Sequence, residues 1–264
     1  MSHTFAFFDI DGTILKDNQT YDIETKEAIH TLQEKEIRTF FATGRPIHEI
    51  HPLLEDFNMQ SHITYNGAYV IHKGQVLLNA TFDKNVLQTI ERLSKQYEHE
   101  LVYYTKHTNY YTNLEAPVSQ DFMKALGMKN NEQLPKDSDA ILEQVLGATI
   151  LGATEQIHDQ YPEMANIHFS QVNIDGAKQA YDILRLDVNK GIAVNLILEH
   201  FNATYKEAIA FGDGMNDKEM FETVGTSVAM GNCKKDLLPY ATLQTTTVDN
   251  LGVVNGLKQL KLIN

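Results

Sequence analysis

Asp9 and Asp11 stand one residue apart at the end of the apolar run Thr4-Phe5-Ala6-Phe7-Phe8, with Gly12 and Thr13 directly after them. Two carboxylates leaving a buried strand on a glycine turn suit phosphoryl transfer. Asp9 can attack phosphorus, Asp11 can move a proton, and a divalent cation can hold together like charges that would otherwise raise each other's pKa. Such a site also needs donors for the phosphoryl oxygens and further ligands for the cation, so other polar groups must converge on it.

The elements that would position them are legible in the pattern. Short β-branched or aromatic runs predict strands at Thr4 to Phe8, Ile37 to Ala42, Ile63 to Tyr65, Ala208 to Phe211, Ser227 to Met230 and Ala241 to Leu243. Between the first two, an amphipathic segment begins near Asp22 with Ile23, Ile29 and Leu32 on its apolar side. After the second, Pro46 suits a first helical turn, and Ile47, Ile50, Leu53, Leu54 and Phe57 follow at helical spacing. This βαβα order predicts an α/β fold: a Rossmann-like, mainly parallel sheet with helices on both faces.

In such sheets ligands bind outside the carboxyl ends of the strands. Asp9, Asp11 and Gly12 follow the first strand, Thr43-Gly44-Arg45 the second, Asn66-Gly67 the third, and Gly212-Asp213-Gly214-Met215-Asn216-Asp217 the fourth. Polar groups fit for phosphate and metal thus recur at one end of four strands. Lys190 adds to them. Asn189 reads as a helix N-cap, and a first-turn lysine adds a full charge to the anion-attracting helix start.

The middle of the chain has a different rhythm. A helical stretch (Val86, Leu87, Ile90, Leu93, Tyr97) precedes a hairpin-like pair, Glu100 to Thr105 and Asn109 to Asn113, turning at Lys106-His107-Thr108. Strand candidates follow at Val145 to Leu151, Ile167 to Gln171 and Tyr181 to Leu186. A hairpin-rich stretch inside a parallel pattern predicts an inserted α+β domain over 83–187, with residues 1–82 and 188–264 forming the core.

With Asp9, Asp11, Thr43, Lys190 and Gly212 to Asp217 in this order, the chain resembles the haloacid dehalogenase superfamily of phosphotransferases over essentially its whole length. The large insert makes it most similar to the Cof-type subfamily (subclass IIB), whose cap is of the larger α/β kind. The resemblance implies that Asp9 is the nucleophile of a phospho-aspartyl intermediate, and that Asp11 protonates the leaving oxygen and then activates water. Thr43 and Lys190 would bind the phosphoryl group, with Gly12, Gly44, Arg45 and Asn66 as neighbours. Mg²⁺ would be held by the side chains of Asp9 and Asp213 and the backbone carbonyl of Asp11. Asn216 and Asp217 would orient phosphate and metal ligands, Asp217 counting with the metal group. The activity implied is a Mg²⁺-dependent phosphatase for small phosphorylated metabolites: sugar phosphates first, pyridoxal phosphate or flavin mononucleotide also. Its cap would close over the site and choose the substrate.

Composition sets bounds on this reading. The 264 residues are 42% hydrophobic and 22% charged, an ordinary globular balance. A net charge of −13 speaks against a nucleic-acid groove, which needs clustered Lys and Arg. The longest apolar run, Val145 to Ala153, is interrupted by Gly147 and Gly152 and falls short of the about 18–20 residues that span a bilayer. No export signal is read at the N-terminus, and the single cysteine, Cys233, cannot form an internal disulfide. A cytoplasmic monomer or homodimer, without membrane or nucleic-acid partners, is the expectation.

Blander readings stand beside the functional ones. Taken alone, Asp213 and Asp217 are turn and cap residues and Lys190 is a solvated lysine; their register with the first motif reverses this. Asn66-Gly67 also suits a hairpin turn into Tyr69-Val70-Ile71, and Arg45 suits a surface ion pair. His48 and His51 lack a third metal ligand and read as a solvated helix face. Tyr103, Tyr104, Tyr110 and Tyr111 read as strand formers on alternating faces, and Cys233 as structural. Two rivals share the nucleophile: a sugar phosphomutase of the same superfamily, and a switch module that stores aspartyl phosphate. Asp11 argues against the switch.

Overall fold

The computed structural model describes residues 3–162, 167–172 and 176–264. In chain order its strands are β1 (Phe5–Phe8), β2 (Arg38–Ala42), β3 (Ser61–Thr64), β4 (Tyr69–His72), β5 (Gln75–Asn79), β6 (Glu100–Tyr104) and β7 (Asn109–Tyr111). They continue as β8 (Asn131–Gln133), β9 (Gly147–Leu151), β10 (Ile167–Gln171), β11 (Ala180–Arg185), β12 (Ala208–Gly212), β13 (Thr226–Ala229) and β14 (Leu243–Gln244). The helices are α1 (Ile23–Glu34), α2 (Ile47–Asp56), α3 (Lys84–Gln96), α4 (Pro117–Leu126), α5 (Asp139–Leu142), α6 (Ile157–Gln160), α7 (Lys190–His200), α8 (Lys218–Thr223) and α9 (Gly252–Gln259). The chain forms two compact units. One takes the chain up to Gly44, Pro52–Leu78 and Asn189–Asn264; the other takes Arg45–His51 and Asn79–Val188.

The first unit is built on an eight-stranded sheet of order β14-β13-β12-β1-β2-β3-β4-β5. Neighbours from β14 to β3 run parallel, and β4 turns back antiparallel on β3. Strand β1 lies at the centre because every residue of it is apolar and fully buried. Complete burial of each phenylalanine is worth about 2–3 kcal/mol. Phe5 and Phe7 enter a core with Ala193, Val194 and Ile197 of α7 and Met220 and Phe221 of α8. On the opposite face Phe8 stacks on Phe211 at 5.2 Å. There α9 lies so close that a Cβ on Gly256 would come within 2.6 Å of the Phe211 ring. Helices therefore cover both faces, as the alternation predicts.

From β1 the chain builds outward to β2 and β3 on one side, and from β12 to β13 and β14 on the other. The crevice of a doubly wound sheet opens where the direction of winding changes, here between the carboxyl ends of β1 and β12. The predicted strands are present with ends moved by no more than two residues. Strand β3 stops at Thr64 because Tyr65 and Asn66 take positive φ.

The second unit carries a six-stranded sheet of order β10-β11-β9-β6-β7-β8, antiparallel except for β7 beside β8. One face packs Leu101, Tyr103, Ala148, Ile150, Tyr181 and Ile183 against Leu87, Ile90 and Leu93 of α3. Alternate residues point the other way, and there the Tyr104 and Thr149 hydroxyls lie 2.7 Å apart while Thr149 donates to Asp182 at 2.7 Å. His48 departs from the expected solvated face. Its side chain is 7% exposed and its Nε2 lies 3.1 Å from Asn109 Oδ1, so it is a packed histidine of this unit, whereas His51 is exposed.

Burial pushes the Asp182 carboxyl up to about 6, with the Thr149 hydrogen bond acting against the shift. A carboxyl raised above its unfolded value binds a proton more readily in the folded state, so stability falls as pH climbs from about 4 to 6 and levels off above. Because solvent reaches part of this side chain, the effect is about 1–2 kcal/mol. Asp182→Asn is therefore expected to stabilise the protein by that amount at pH 8 and by nothing at pH 4. Urea denaturation at the two pH values measures it; an equal effect at both would refute the assignment.

Candidate active site

Asp9 leaves β1 with its backbone N–H still bonded to the Phe211 carbonyl of β12 at 2.9 Å, so its carboxylate is carried to the mouth of the crevice. The chain then doubles back, with the amides of Thr13, Ile14 and Leu15 all reaching the Ile10 carbonyl. Gly12 sits in this turn at φ +76° and lies directly under Asp213, into whose carboxylate any Cβ at that position would run. The glycine thus serves two ends: the left-handed turn after Asp11, and a close approach of the β1 loop to the β12 loop. Asp11 is half-buried at the rim of this turn.

Lys190 opens α7 behind Asn189, whose side-chain oxygen accepts the Ile192 N–H at 2.9 Å as a helix cap. The lysine is completely buried. Its ammonium donates to Asp9 Oδ1 at 2.6 Å and to Asp217 Oδ1 at 2.7 Å. The second Asp217 oxygen accepts the N–H groups of Asp213 and Gly214, each at 3.0 Å. Asp217 thereby has both oxygens engaged and shapes the loop that presents Asp213. The Asp213 carbonyl in turn accepts from the Lys234 N–H at 2.9 Å.

One ammonium faces three buried carboxylates. Burial raises the Asp9 pKa to about 7; Asp217 and Asp11 add to the rise, and Lys190 opposes it. Asp213 is raised well above the usual carboxylate range by burial and then by Asp9 and Asp217. For Lys190, burial alone would lower the pKa, but the Asp217 and Asp9 carboxylates outweigh it and hold the ammonium charged. Left to itself, this group takes up protons to shed negative charge. A divalent cation would do the same and keep the carboxylates ionised. The Asp9, Asp213 and Asp217 oxygens lie within 4.8 Å of one another, a geometry able to hold a metal. An all-oxygen set of this kind fits a hard ion such as Mg²⁺. Among the described residues no hydrogen bond reaches the Asp213 carboxylate, which leaves it open toward such an ion.

Thr43, fully buried, follows β2 at the same end of the sheet, its N–H bonded to the Ile63 carbonyl at 2.9 Å. The Asn66 N–H returns to the Thr43 carbonyl at 3.0 Å, and Asn66 Oδ1 accepts from Asn216 Nδ2 at 3.1 Å. Thr43, Gly44, Asn66 and Asn216 thus form one connected group. Gly67 joins it to the start of α7, since a Cβ there would run into the Asn189 carbonyl. Arg45, half-buried, is the first residue of the second unit.

One residue escaped the reading of the sequence. Asn232 donates to the Gly12 carbonyl at 2.8 Å and accepts from the Val248 N–H at 2.8 Å, tying the turn after Asp11 to the segment beyond β14. It stands three residues past β13, where the same strand-end rule could have found it. Cys233, beside it, is half-buried with its thiol raised by burial and then by Asp213, which fits a structural role.

The chain as a whole is similar to known proteins. Among curated relatives, YkrA of Bacillus subtilis strain 168 is 26% identical over 267 residues and 100% of both chains. The HMP-PP phosphatase of Citrobacter koseri is 27% identical over 88% of this chain and 86% of its own. A solved structure from Geobacillus kaustophilus HTA426 aligns with a TM-score of 0.86 at 26% identity, covering 99% of this chain and all of the other. That of the subclass IIB sugar phosphatase BT4131 aligns at 0.87 and 23% identity, covering 98% and 100%. No helix among the described residues is long and apolar enough to cross a membrane. Residues 6–257 match the family model of the haloacid dehalogenase-like hydrolases, and the chain belongs to that family as a phosphatase of its Cof type, a phosphoric monoester hydrolase.

Proposed function

We propose that the protein is a Mg²⁺-dependent phosphatase of small phosphorylated metabolites that works through a phospho-aspartyl intermediate on Asp9. The observation that carries this reading is the placement of Asp9: buried, held on one oxygen by Lys190, facing Asp213, and followed two residues on by the half-buried Asp11. Asp9 and Asp213, with the Asp11 carbonyl, would hold Mg²⁺, and the bound ion supplies neutralisation of the charge that builds on the phosphoryl oxygens. Asp217 braces this set from behind.

The Asp9 carboxylate attacks phosphorus as the bond to the leaving oxygen breaks, and Asp11 gives that oxygen its proton. Asp11, now ionised, takes a proton from the water that attacks the phospho-aspartate, releasing phosphate and restoring Asp9. Lys190, the Thr43 hydroxyl and the loop amides steady the equatorial oxygens. Selection of the organic group belongs to the second unit. Sugar phosphates are the first substrates to test, with pyridoxal phosphate and flavin mononucleotide next. The fold shared with a sugar phosphatase and the kinship with an HMP-PP phosphatase favour small polar metabolites in general.

Phosphate release across a panel of phosphorylated sugars, cofactors and nucleotides tests the proposal. With Mg²⁺, release is expected from several members of the panel, and it should fall by about a hundredfold or more in chelator. Release that persists undiminished without metal, or silence across the panel, would refute it.

A further inference from the structure

The turn between β3 and β4 carries three successive residues at positive φ: Tyr65 at 53°, Asn66 at 53° with ψ 33°, and Gly67 at 108°. Glycine bears this freely and asparagine tolerates it, but for a buried aromatic residue it is an outlier that surrounding structure must hold in place. A two-residue hairpin turn can be made with far less strain, so the conformation serves more than the reversal of the chain.

Each part of this turn meets a different piece of the site. The Asn66 N–H holds the Thr43 carbonyl at 3.0 Å. Its carboxamide lies on the backbone of Gly44, where a Cβ would come within 3.0 Å of both amide atoms, and its Oδ1 receives the Asn216 amide at 3.1 Å. Gly67 presses on the Asn189 carbonyl, at the cap of the helix that opens with Lys190. Three stretches remote in sequence, at residues 43–44, 189–190 and 216, meet at one strained turn. Each of them carries a proposed phosphate contact.

We infer that the Tyr65–Asn66–Gly67 turn is a clamp that sets the width of the phosphoryl cradle, and that Asn66 is a positioning residue acting through Asn216 and the Thr43–Gly44 loop. The inference rests on the reading of this site as one for phosphoryl transfer. Without the Asn66 oxygen, the Asn216 side chain loses the partner that aims it, and Gly44 loses the wall that fixes its loop.

Asn66→Gly tests the clamp, because glycine keeps the left-handed backbone while deleting the carboxamide. The melting temperature is expected to stay within about 3 °C of wild type. Affinity for inorganic phosphate, measured by calorimetry in Mg²⁺ buffer, should weaken by about fivefold or more, and kcat/KM should fall by a similar factor for every monoester hydrolysed. Asn216→Ala should lose at least as much, and the loss in the double variant should fall short of the sum of the single losses, since the two side chains share one hydrogen bond. Unchanged phosphate affinity in Asn66→Gly would overturn the clamp, whether the melting temperature holds or drops, and so would additive losses in the double variant. If wild type hydrolyses nothing, the phosphatase reading fails, yet the calorimetric comparison still decides the clamp.

Discussion

Asparagine in place of Asp9 is expected to leave a folded protein with no turnover. The amide keeps the shape of the carboxyl and offers an oxygen to Lys190, which stays paired with Asp217 at 2.7 Å. One negative charge leaves a buried cluster that already carries too many, so the melting temperature should hold or rise slightly. An amide oxygen is not a competent nucleophile toward phosphorus, and turnover should drop by about 10⁴-fold or more. Phosphate release by the purified variant, together with acid trapping of phosphoenzyme, checks both halves. Activity above about one part in a hundred, or a trapped phosphoenzyme, would remove Asp9 from the nucleophile's role.

Methionine in place of Lys190 should harm folding and catalysis together. Among the described residues the ammonium is the one cation bonded to both Asp9 and Asp217, and all three groups are buried. Breaking a buried pair by removing one partner costs about 3–5 kcal/mol, because the remaining charge is left without compensation. The deficit should be larger at pH 8 than at pH 5. Without Lys190 the folded Asp9 carboxyl holds its proton to still higher pH than the unfolded one, so stability falls as pH rises through the folded value. Loss of a positioned cation should also lower turnover by about 10³-fold. Urea unfolding in chelator at the two pH values, with phosphate release alongside, measures these effects. A deficit below about 1 kcal/mol would show that the lysine is not what holds the cluster together.

The sequence exposed the candidate site because chemistry was concentrated where strands end. Phe5 to Phe8 is too apolar to be anything but a central strand, and once it is placed, Asp9 must leave at the carboxyl edge. The same rule places Thr43 and Asp213 at neighbouring strand ends, and it reaches Asn232 as well, three residues past β13. What stayed hidden was structure made by context. Strand β8 is Asn-Glu-Gln, with no apolar alternation, and it exists through backbone pairing to β7. Helix α9 contains two glycines and two adjacent valines, poor helix formers that burial against Phe211 overrides. His48 was misplaced for the same reason: helical spacing shows which residues share a face, but not that Asn109 would cover this one.

The pairing of β1 has a consequence for the order of assembly on the ribosome. On one side its partner, β2, emerges early, since Phe5 pairs with Arg38; on the other Phe5 pairs with Ala208. The strand that delivers Asp9 therefore waits with an open hydrogen-bonding edge while the whole stretch from Asn79 to Val188 is synthesised. Contacts this distant in sequence are slow to form. The β1–β12 pairing can form only once nearly four-fifths of the chain has been made, and Asp9 cannot meet Lys190 in the closed sheet before then.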